Sequence, residues 1–424
     1  MKIYVYTHDQ YSHVSGAKYF IKKLNMKNDV TVFVDSKFRN VLNDIDNINI
    51  VEYSSNIERK LRKVTKDYSK YSGAIGTVRD ISSIDKMIDE ACTMCEFFIR
   101  ASFEYCDELE KYIFDNGKPD LIIRDCCSLY ARIIAEKQNI KVMGYTTSPT
   151  VTDGQILENK RKYLELIFNF ILKNYSDNDV ETLYSGIKNG FEMICKKYDI
   201  KSIPIAYLVD PGEEVNFSYG LDIRKNVDKN RYYYFKPELF EKNDDIEFCK
   251  NKIYISAGST VTFPIDIYNY IVNAVRKFPF QSTITFKYYD GNIVTFNDLP
   301  KNIKFTKFAN QIEELKHSKL FITHGGYNSL LESIYYEVPM IVIPLSNDQF
   351  YNAEFVKMMN IGYSLDRESL YSSQPIFNFI LEIIKNEKTY NKKLKELKND
   401  FFNLDDIDNL NNIVSSFTQF YSCV

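Results

Sequence analysis

The chain has 424 residues, 45% hydrophobic and 15% aromatic, with a formal net charge of -3. A chain this long and this apolar can bury two or three separate cores, which excludes intrinsic disorder. The near-neutral balance supplies neither the basic field that holds nucleic acid nor a polybasic face for an anionic membrane, so a phosphate on any ligand must be met by local groups.

In chain order, strand and helix patterns alternate from the start. "KIYVYT" reads as a strand, "SGAKYFIKKLNM" as a helix and "DVTVFV" as a strand; "DLIIRD", "ARIIAEKQN" and "KVMGYT" then repeat strand, helix, strand. That alternation predicts a parallel sheet covered by helices. Residues 56 to 116 and 154 to 200 read as helical, aromatic-rich insertions over one edge of the sheet. The opening "MKIYVYTHDQ" lacks the apolar run of a signal peptide, and no uncharged apolar stretch reaches the roughly 18 to 20 residues of a membrane span. The expectation is a cytoplasmic protein with no membrane span.

Eight cysteines, with Cys126 and Cys127 adjacent and the rest scattered, make no disulfide framework. Cys92-x-x-Cys95 lies inside the helical pattern "SSIDKMIDEACTMCEFFIRASFEYCDELEKYIF" without a second ligand pair, short of the four that a structural zinc takes. From 210 to 250, turn residues and dense charge displace the helical period, which predicts an interdomain linker at 236–250.

A second alternating series follows, from "KIYISAGS" through "PIDIYNYIVNAVRKF", "STITFKY", "NIKFTKF", "NQIEELKHS", "LFITHGG", "NSLLESIYYE" and "PMIVIP" to "FYNAEFVKMMN". The chain thus reads as two doubly wound α/β halves in tandem, closed by a helical, amphipathic segment from about 375 to 424. Within the second half, "LFITHGGYNSLLES" crowds His324, two glycines, Asn328, Ser329 and Glu332 where a strand becomes a helix. Gly325 and Gly326 let the backbone turn sharply, and free amides at a helix start near Asn328 or Ser329 offer a seat for a diphosphate. Ser329-x-x-Glu332 also fits a capping box, which would use the same amides without a ligand. The turn stands at the carboxyl end of a strand, where open α/β sheets bind ligands, and it lacks the G-x-G-x-x-G of nicotinamide and flavin sites.

The segment "FITHGGYNSLLESIYYEVPMIVIPLSNDQFYNAEFV" closely resembles the nucleotide-sugar-binding motif of the UDP-glycosyltransferases, especially their bacterial macrolide-type branch. Weaker likeness extends to "KIYISAGS", "KFANQIEELKHS", "PDLIIRDCCSLYARIIAEKQNI" and "YSHVSG". The resemblance implies two tandem Rossmann-like domains facing across a cleft, the GT-B fold. An acceptor-binding domain would span 1–235, the linker 236–250, a nucleotide-sugar-binding domain 251–400, and a helical segment 401–424 that packs back on the first domain.

By the same resemblance, His324 contacts the donor phosphate, and Gly326, Asn328 and Ser329 complete the diphosphate cradle. Glu332 binds the ribose hydroxyls, Asp348 and Gln349 read the sugar, and Ser259 lies near the phosphates. Phe308 and Gln311 match the segment that stacks on the base. His13 takes the place of the catalytic base and Asp125 that of its partner. The residues alone also admit Asp348 as a helix N-cap, Asp125 as a strand-end cap and His8 as the alternative base.

Some positions depart from the family pattern. Asn310 replaces a Pro, Glu337 a Gly, and Ser12 and Gly16 flank His13 in place of Gly and Pro; the chain has no Trp, so stacking rests on Phe308.

The implied activity is inverting transfer of a sugar from a UDP-sugar to a hydroxyl of a small, apolar or aromatic acceptor such as a natural product or macrolide. No cofactor and no metal are expected, and the D-x-D strings at Asp44/Asp46 and Asp177/Asp179 read as solvated loops. The expected partners are the nucleotide-sugar donor and the acceptor, with no nucleic acid and no membrane, in a monomer or homodimer. Two other readings stay open: a sugar-nucleotide epimerase, which converts donor without acceptor, and a non-catalytic nucleotide-sugar-binding helper.

Overall fold

The short apolar run at the start of the chain becomes β1 (Lys2–Tyr6), buried over nearly its whole length. Parallel strands covered on both faces need apolar residues at every position, which is why these runs show no alternation. The computed structural model describes residues 1–8, 10–53, 81, 83–148, 150–219, 231–237, 249–258, 262–286, 299–345, 348–365, 370–404 and 409–420. The chain divides into two units, Met1–Lys236 with Leu404–Val424, and Pro237–Asn403.

In the first unit, β1 is followed by α1 (Tyr11–Asn25), β2 (Asp29–Val34), β3 (Asn49–Glu52), the long helix α2 (Ile84–Asn116) and β4 (Leu121–Asp125). After these come α3 (Leu129–Gln138), β5 (Lys141–Thr146), α4 (Asp153–Glu158), α5 (Lys160–Phe168), α6 (Asp177–Lys197), β6 (Asn216–Tyr219) and β7 (Tyr232–Phe235). The strands form one parallel sheet in the order β3-β2-β1-β4-β5-β6-β7. Chain order reverses direction between β1 and β4, where Tyr6 pairs with Arg124. Such a switch point leaves a crevice outside the carboxyl ends of the two strands.

Helix α1 turns Val14, Ala17, Phe20, Ile21 and Leu24 inward at helical spacing, onto Ile3, Val5, Val32 and Phe217 of the sheet. The same core takes in Leu410 and Val414 of the last helix, α13 (Leu410–Phe420), so the C-terminal segment packs on the N-terminal unit. Asn411 fastens it by donating to the Lys23 carbonyl (3.0 Å) and accepting from Asn28 (2.9 Å). Residues 56–80 and 82 of the first insertion lie outside the described residues, as do 238–248 of the linker. Asp177 and Asp179 stand in the first turn of α6 and not in a loop; Asp179 closes a capping box with Ser176, the use to which a helix start puts an acidic side chain.

The second unit repeats the scheme with β8 (Lys252–Ser256), α7 (Ile265–Val275), β9 (Gln281–Thr285), β10 (Ile303–Thr306), α8 (Gln311–Lys316) and β11 (Ser318–Thr323). It continues through α9 (Tyr327–Tyr335), β12 (Met340–Val342), α10 (Asp348–Met358), β13 (Gly362–Ser364), α11 (Gln374–Lys385) and α12 (Glu387–Phe402). This sheet is also parallel, in the order β10-β9-β8-β11-β12-β13, with its switch point between β8 and β11. Among the described residues, no helix is long and apolar enough to cross a membrane.

Candidate functional site

At the switch point of the first sheet, β4 ends on Asp125 and the chain after β1 enters α1, whose third residue is His13. The pairing of β1 with β4 brings these residues together across 112 positions of sequence: His13 Nδ1 lies 2.8 Å from Asp125 Oδ2. The Asp125 side chain is fully buried, while that of His13 keeps 16% of its exposure. Burial alone would raise the Asp125 carboxyl. The charge and hydrogen bond of His13, the nearby His8 and the Cys127 amide outweigh that and hold it below its ordinary value. A carboxylate at Nδ1 fixes the tautomer and leaves the lone pair of a neutral ring on Nε2. His8 stacks edge-on to His13, with ring centroids 4.9 Å apart.

The structure adds two residues to this pair. Arg124, 1% exposed, sends Nε to Glu213 (2.7 Å) and Nη1 to the carbonyls of Asp125 and Cys126 (both 3.0 Å). It therefore clamps the backbone that carries the carboxylate. Its signal in the sequence is a lone Arg inside the apolar strand "DLIIRD", where a charge persists only if paired. Cys127 donates its amide to Asp125 Oδ1 (2.9 Å), and its thiol stands 3.8 Å from that of Cys126. The contact with Cys126, burial and the Asp125 carboxylate keep the Cys127 thiol well above its ordinary pKa. Among the described residues, His13, Asp125 and Cys127 are the one group of three whose ligand atoms lie close enough, within 4.8 Å of one another, to share a metal ion.

In the second unit, β11 ends at Thr323, beside Ser256 at the end of β8. The His324 ring sits between two glycines: a Cβ on Gly258 would come within 2.5 Å of its Cε1, and one on Gly326 within 2.8 Å of its Nε2. Gly325, at φ +87, makes the reversal that a side chain would resist. Burial lowers the His324 pKa to about 4, so at neutral pH the ring is uncharged and can donate one N–H.

Helix α9 begins at Tyr327 with Gly326 as its N-cap, and no side chain caps it. The capping-box reading of Ser329 and Glu332 is therefore corrected: the helix starts earlier than Asn328, which places Ser329 inside the first turn. Both side chains turn to Gln311 at the start of α8, whose Nε2 lies 3.0 Å from Ser329 Oγ and 2.5 Å from Glu332 Oε2. Burial, partly offset by the Gln311 hydrogen bond, raises Glu332 to about 7. Gln311, Ser329 and Glu332 thus form one cluster, and Asn328 is the second residue of α9.

Phe308 is 82% exposed, an aromatic face presented to solvent. Asn310, in the place of the family's Pro, caps α8 by accepting from the Glu313 amide (3.3 Å). Glu337 holds φ +53, the left-handed conformation that a Gly would adopt without cost. Asp348 is the first residue of α10, and its Oδ2 accepts from Asn352 (3.2 Å). Gln349 is buried, with its side-chain oxygen on the Leu345 amide (2.8 Å). Asn352, fully buried, also donates to the Gly325 carbonyl (2.7 Å) and so ties α10 to the glycine turn, a role that nothing local in "FYNAEF" announces. Ser259 lies outside the described residues.

The family described as "UDP-glucoronosyl and UDP-glucosyl transferase" matches residues 239–401. The uncharacterized UDP-glucosyltransferase YojK of Bacillus subtilis (strain 168) is 31% identical over 318 residues, which cover 70% of this chain and 73% of that protein. The glycotransferase of kitacinnamycin superposes with a TM-score of 0.71 at 16% identity, over 98% of both chains. CalG4, the calicheamicin glycosyltransferase, does so with a TM-score of 0.69 at 16% identity, again over 98% of both. At these identities the two solved structures establish the shared GT-B fold.

Proposed function

Starting from the UDP-glycosyltransferase family, to which this chain belongs, we propose that the protein moves a sugar from a UDP-sugar to a hydroxyl of a small acceptor, with inversion and without a metal ion. The observation that carries this reading is the 2.8 Å bond between His13 and the fully buried Asp125 at the end of β4. Nε2 of His13 takes the proton of the acceptor hydroxyl, and Asp125 stabilises the imidazolium that forms. Positioned proton transfer of this kind contributes about a hundred- to ten-thousand-fold. The acceptor oxygen attacks the anomeric carbon as the bond to the diphosphate breaks, and its electron pair leaves with UDP. An α-linked donor then yields a β-glycoside.

The donor side follows from the second unit. The uncapped start of α9 offers its amides and partial positive charge to the diphosphate, and neutral His324 adds a donor. Preorganised donors of this kind can carry the leaving charge without a cation. Ionised Glu332 accepts from the ribose hydroxyls, Phe308 stacks on the base, and Asp348 with the Gln349 amide group meets the sugar hydroxyls. Ser259 keeps its proposed place near the phosphates. The proposed acceptor is a small natural product with apolar or aromatic surface, in keeping with solved neighbours named for kitacinnamycin and calicheamicin. We place the enzyme in the cytoplasm, as a monomer or homodimer.

A screen of UDP-sugars against hydroxylated aromatic and macrolide acceptors, read by mass spectrometry in the presence of EDTA, tests this reading. The expected result is UDP release together with an acceptor enlarged by one sugar. Donor conversion without acceptor identifies an epimerase, donor binding without turnover a helper, and turnover restored only by Mg²⁺ or Mn²⁺ refutes the metal-free mechanism.

A further inference from the structure

Beyond the transfer reaction, we propose that His13, Asp125 and Cys127 form an inhibitory site for a thiophilic divalent cation such as Zn²⁺. A ring nitrogen, a carboxylate oxygen and a thiol sulfur already stand within 4.8 Å of one another. Such an N, O, S donor set selects zinc-like ions over the hard cations Mg²⁺ and Ca²⁺, which prefer oxygen alone. Bonds of about 2.0 to 2.3 Å place the ligands of a tetrahedral ion roughly 3.3 to 3.8 Å apart. Closing the trio on an ion therefore takes side-chain shifts of about 1 Å.

The surroundings suit the ion. Asp125 is fully buried, and the neighbouring Arg124 guanidinium is paired with Glu213 at 2.7 Å and not with the Asp125 carboxylate. The backbone of the ligating loop is fixed from both sides, by Arg124 on the carbonyls of Asp125 and Cys126 and by the Cys127 amide on Asp125. Ligands held in this way lose little freedom on binding. His13 keeps 16% of its side-chain exposure, which leaves the ion an approach from that side.

The proton balance explains the inhibition. Binding releases the Cys127 thiol proton to solvent, since a coordinated thiol deprotonates. If the ion takes His13 Nε2, the lone pair that would accept the acceptor's proton is consumed. If it takes Nδ1, the ring proton moves to Nε2 and the same lone pair is lost. The inhibition rests on His13 being the base; the binding does not.

The test uses the full chain and Co²⁺ alone as a spectroscopic stand-in. The expected result is one equivalent bound with visible bands of a tetrahedral ion and a thiolate-to-cobalt charge-transfer band in the near ultraviolet, all displaced by Zn²⁺. Cys127→Ser should lose the charge-transfer band and bind at least about ten-fold more weakly. Cys249→Ser, which removes an exposed thiol elsewhere in the chain, should keep both properties. A wild-type complex without the thiolate band overturns the site, whatever the folding of the serine variant, and so does a band that survives in Cys127→Ser. Zn²⁺ should also stop transfer by the wild-type enzyme, with Cys127→Ser at least about ten-fold less sensitive. A bound ion with the band and undiminished transfer leaves the site standing and removes His13 as the base.

Discussion

Glu332 offers a quantitative test of the donor site, because its carboxyl is raised to about 7 by burial before any ligand arrives. If ribose hydroxyls donate to it, binding favours the ionised form, and lowering the pH must first neutralise the group that binds. With a free-protein pKa of about 7, roughly ten in eleven molecules are ionised at pH 8 and about one in eleven at pH 6. Affinity for a UDP-sugar, whose diphosphate does not titrate in this range, should therefore fall about ten-fold from pH 8 to pH 6, or about 1.4 kcal/mol. Below pH 7, binding should release close to one proton. Stability should respond with the opposite sign. Since the folded-state pKa lies above the unfolded one, the folded chain holds the extra proton from about pH 4.5 to pH 7, so this group's contribution is lost as pH rises through that window. Glu332→Gln should flatten both profiles, and Glu332→Ala should weaken UDP-sugar binding by about 1.5 to 3 kcal/mol, the range of a hydrogen bond to a charged group. Calorimetry at several pH values in buffers of different ionisation heat measures affinity and proton release together. A wild-type affinity independent of pH, or an equal slope in Glu332→Gln, refutes the ribose role.

His13→Ala should leave UDP affinity nearly intact and lower kcat by at least about a hundred-fold, with Asp125→Asn intermediate and the double variant little worse than His13→Ala, since one catalytic unit is not additive. Near-normal kcat in His13→Ala would move the base role to His8. Arg124→Met leaves the buried Glu213 carboxylate only the longer 3.8 Å pair with Arg132 and should cost about 3 kcal/mol in urea unfolding, part of which Glu213→Gln in the same chain should recover. Glu337→Gly removes a left-handed non-glycine residue, a conformation costing about 1 to 2 kcal/mol, and gives up a partly exposed pair with Lys398 worth at most about 1 kcal/mol. The melting temperature should therefore rise.

The alternating runs from "KIYVYT" to "FYNAEFVKMMN" announced two α/β halves because backbone geometry imposes the period of a strand or a helix residue by residue, whatever lies beyond it. The glycine turn at His324 was legible for the same reason: only residues without a Cβ allow that backbone and that ring to meet, so the requirement is written into adjacent letters. The resemblance made His13 and Asp125 a base and its partner, but nothing in a sequence separation of 112 states a distance. That contact exists because β4 lies next to β1, an order chosen by the burial of whole faces and not by local pattern. Ser329 and Glu332 show the same limit from the other side. Their spacing fits a cap, and only the tertiary structure brings Gln311 from a separate helix to engage both and leaves the start of α9 without a side-chain cap. Arg124 and Asn352 looked like ordinary members of a strand and a helix, and became supports of the two sites once distant carbonyls were packed against them. The elements were determined by short-range sterics and periodicity. The partners of each buried polar group were decided by which elements the hydrophobic cores forced together, because a polar atom removed from water takes its hydrogen bond from whatever the fold places within reach.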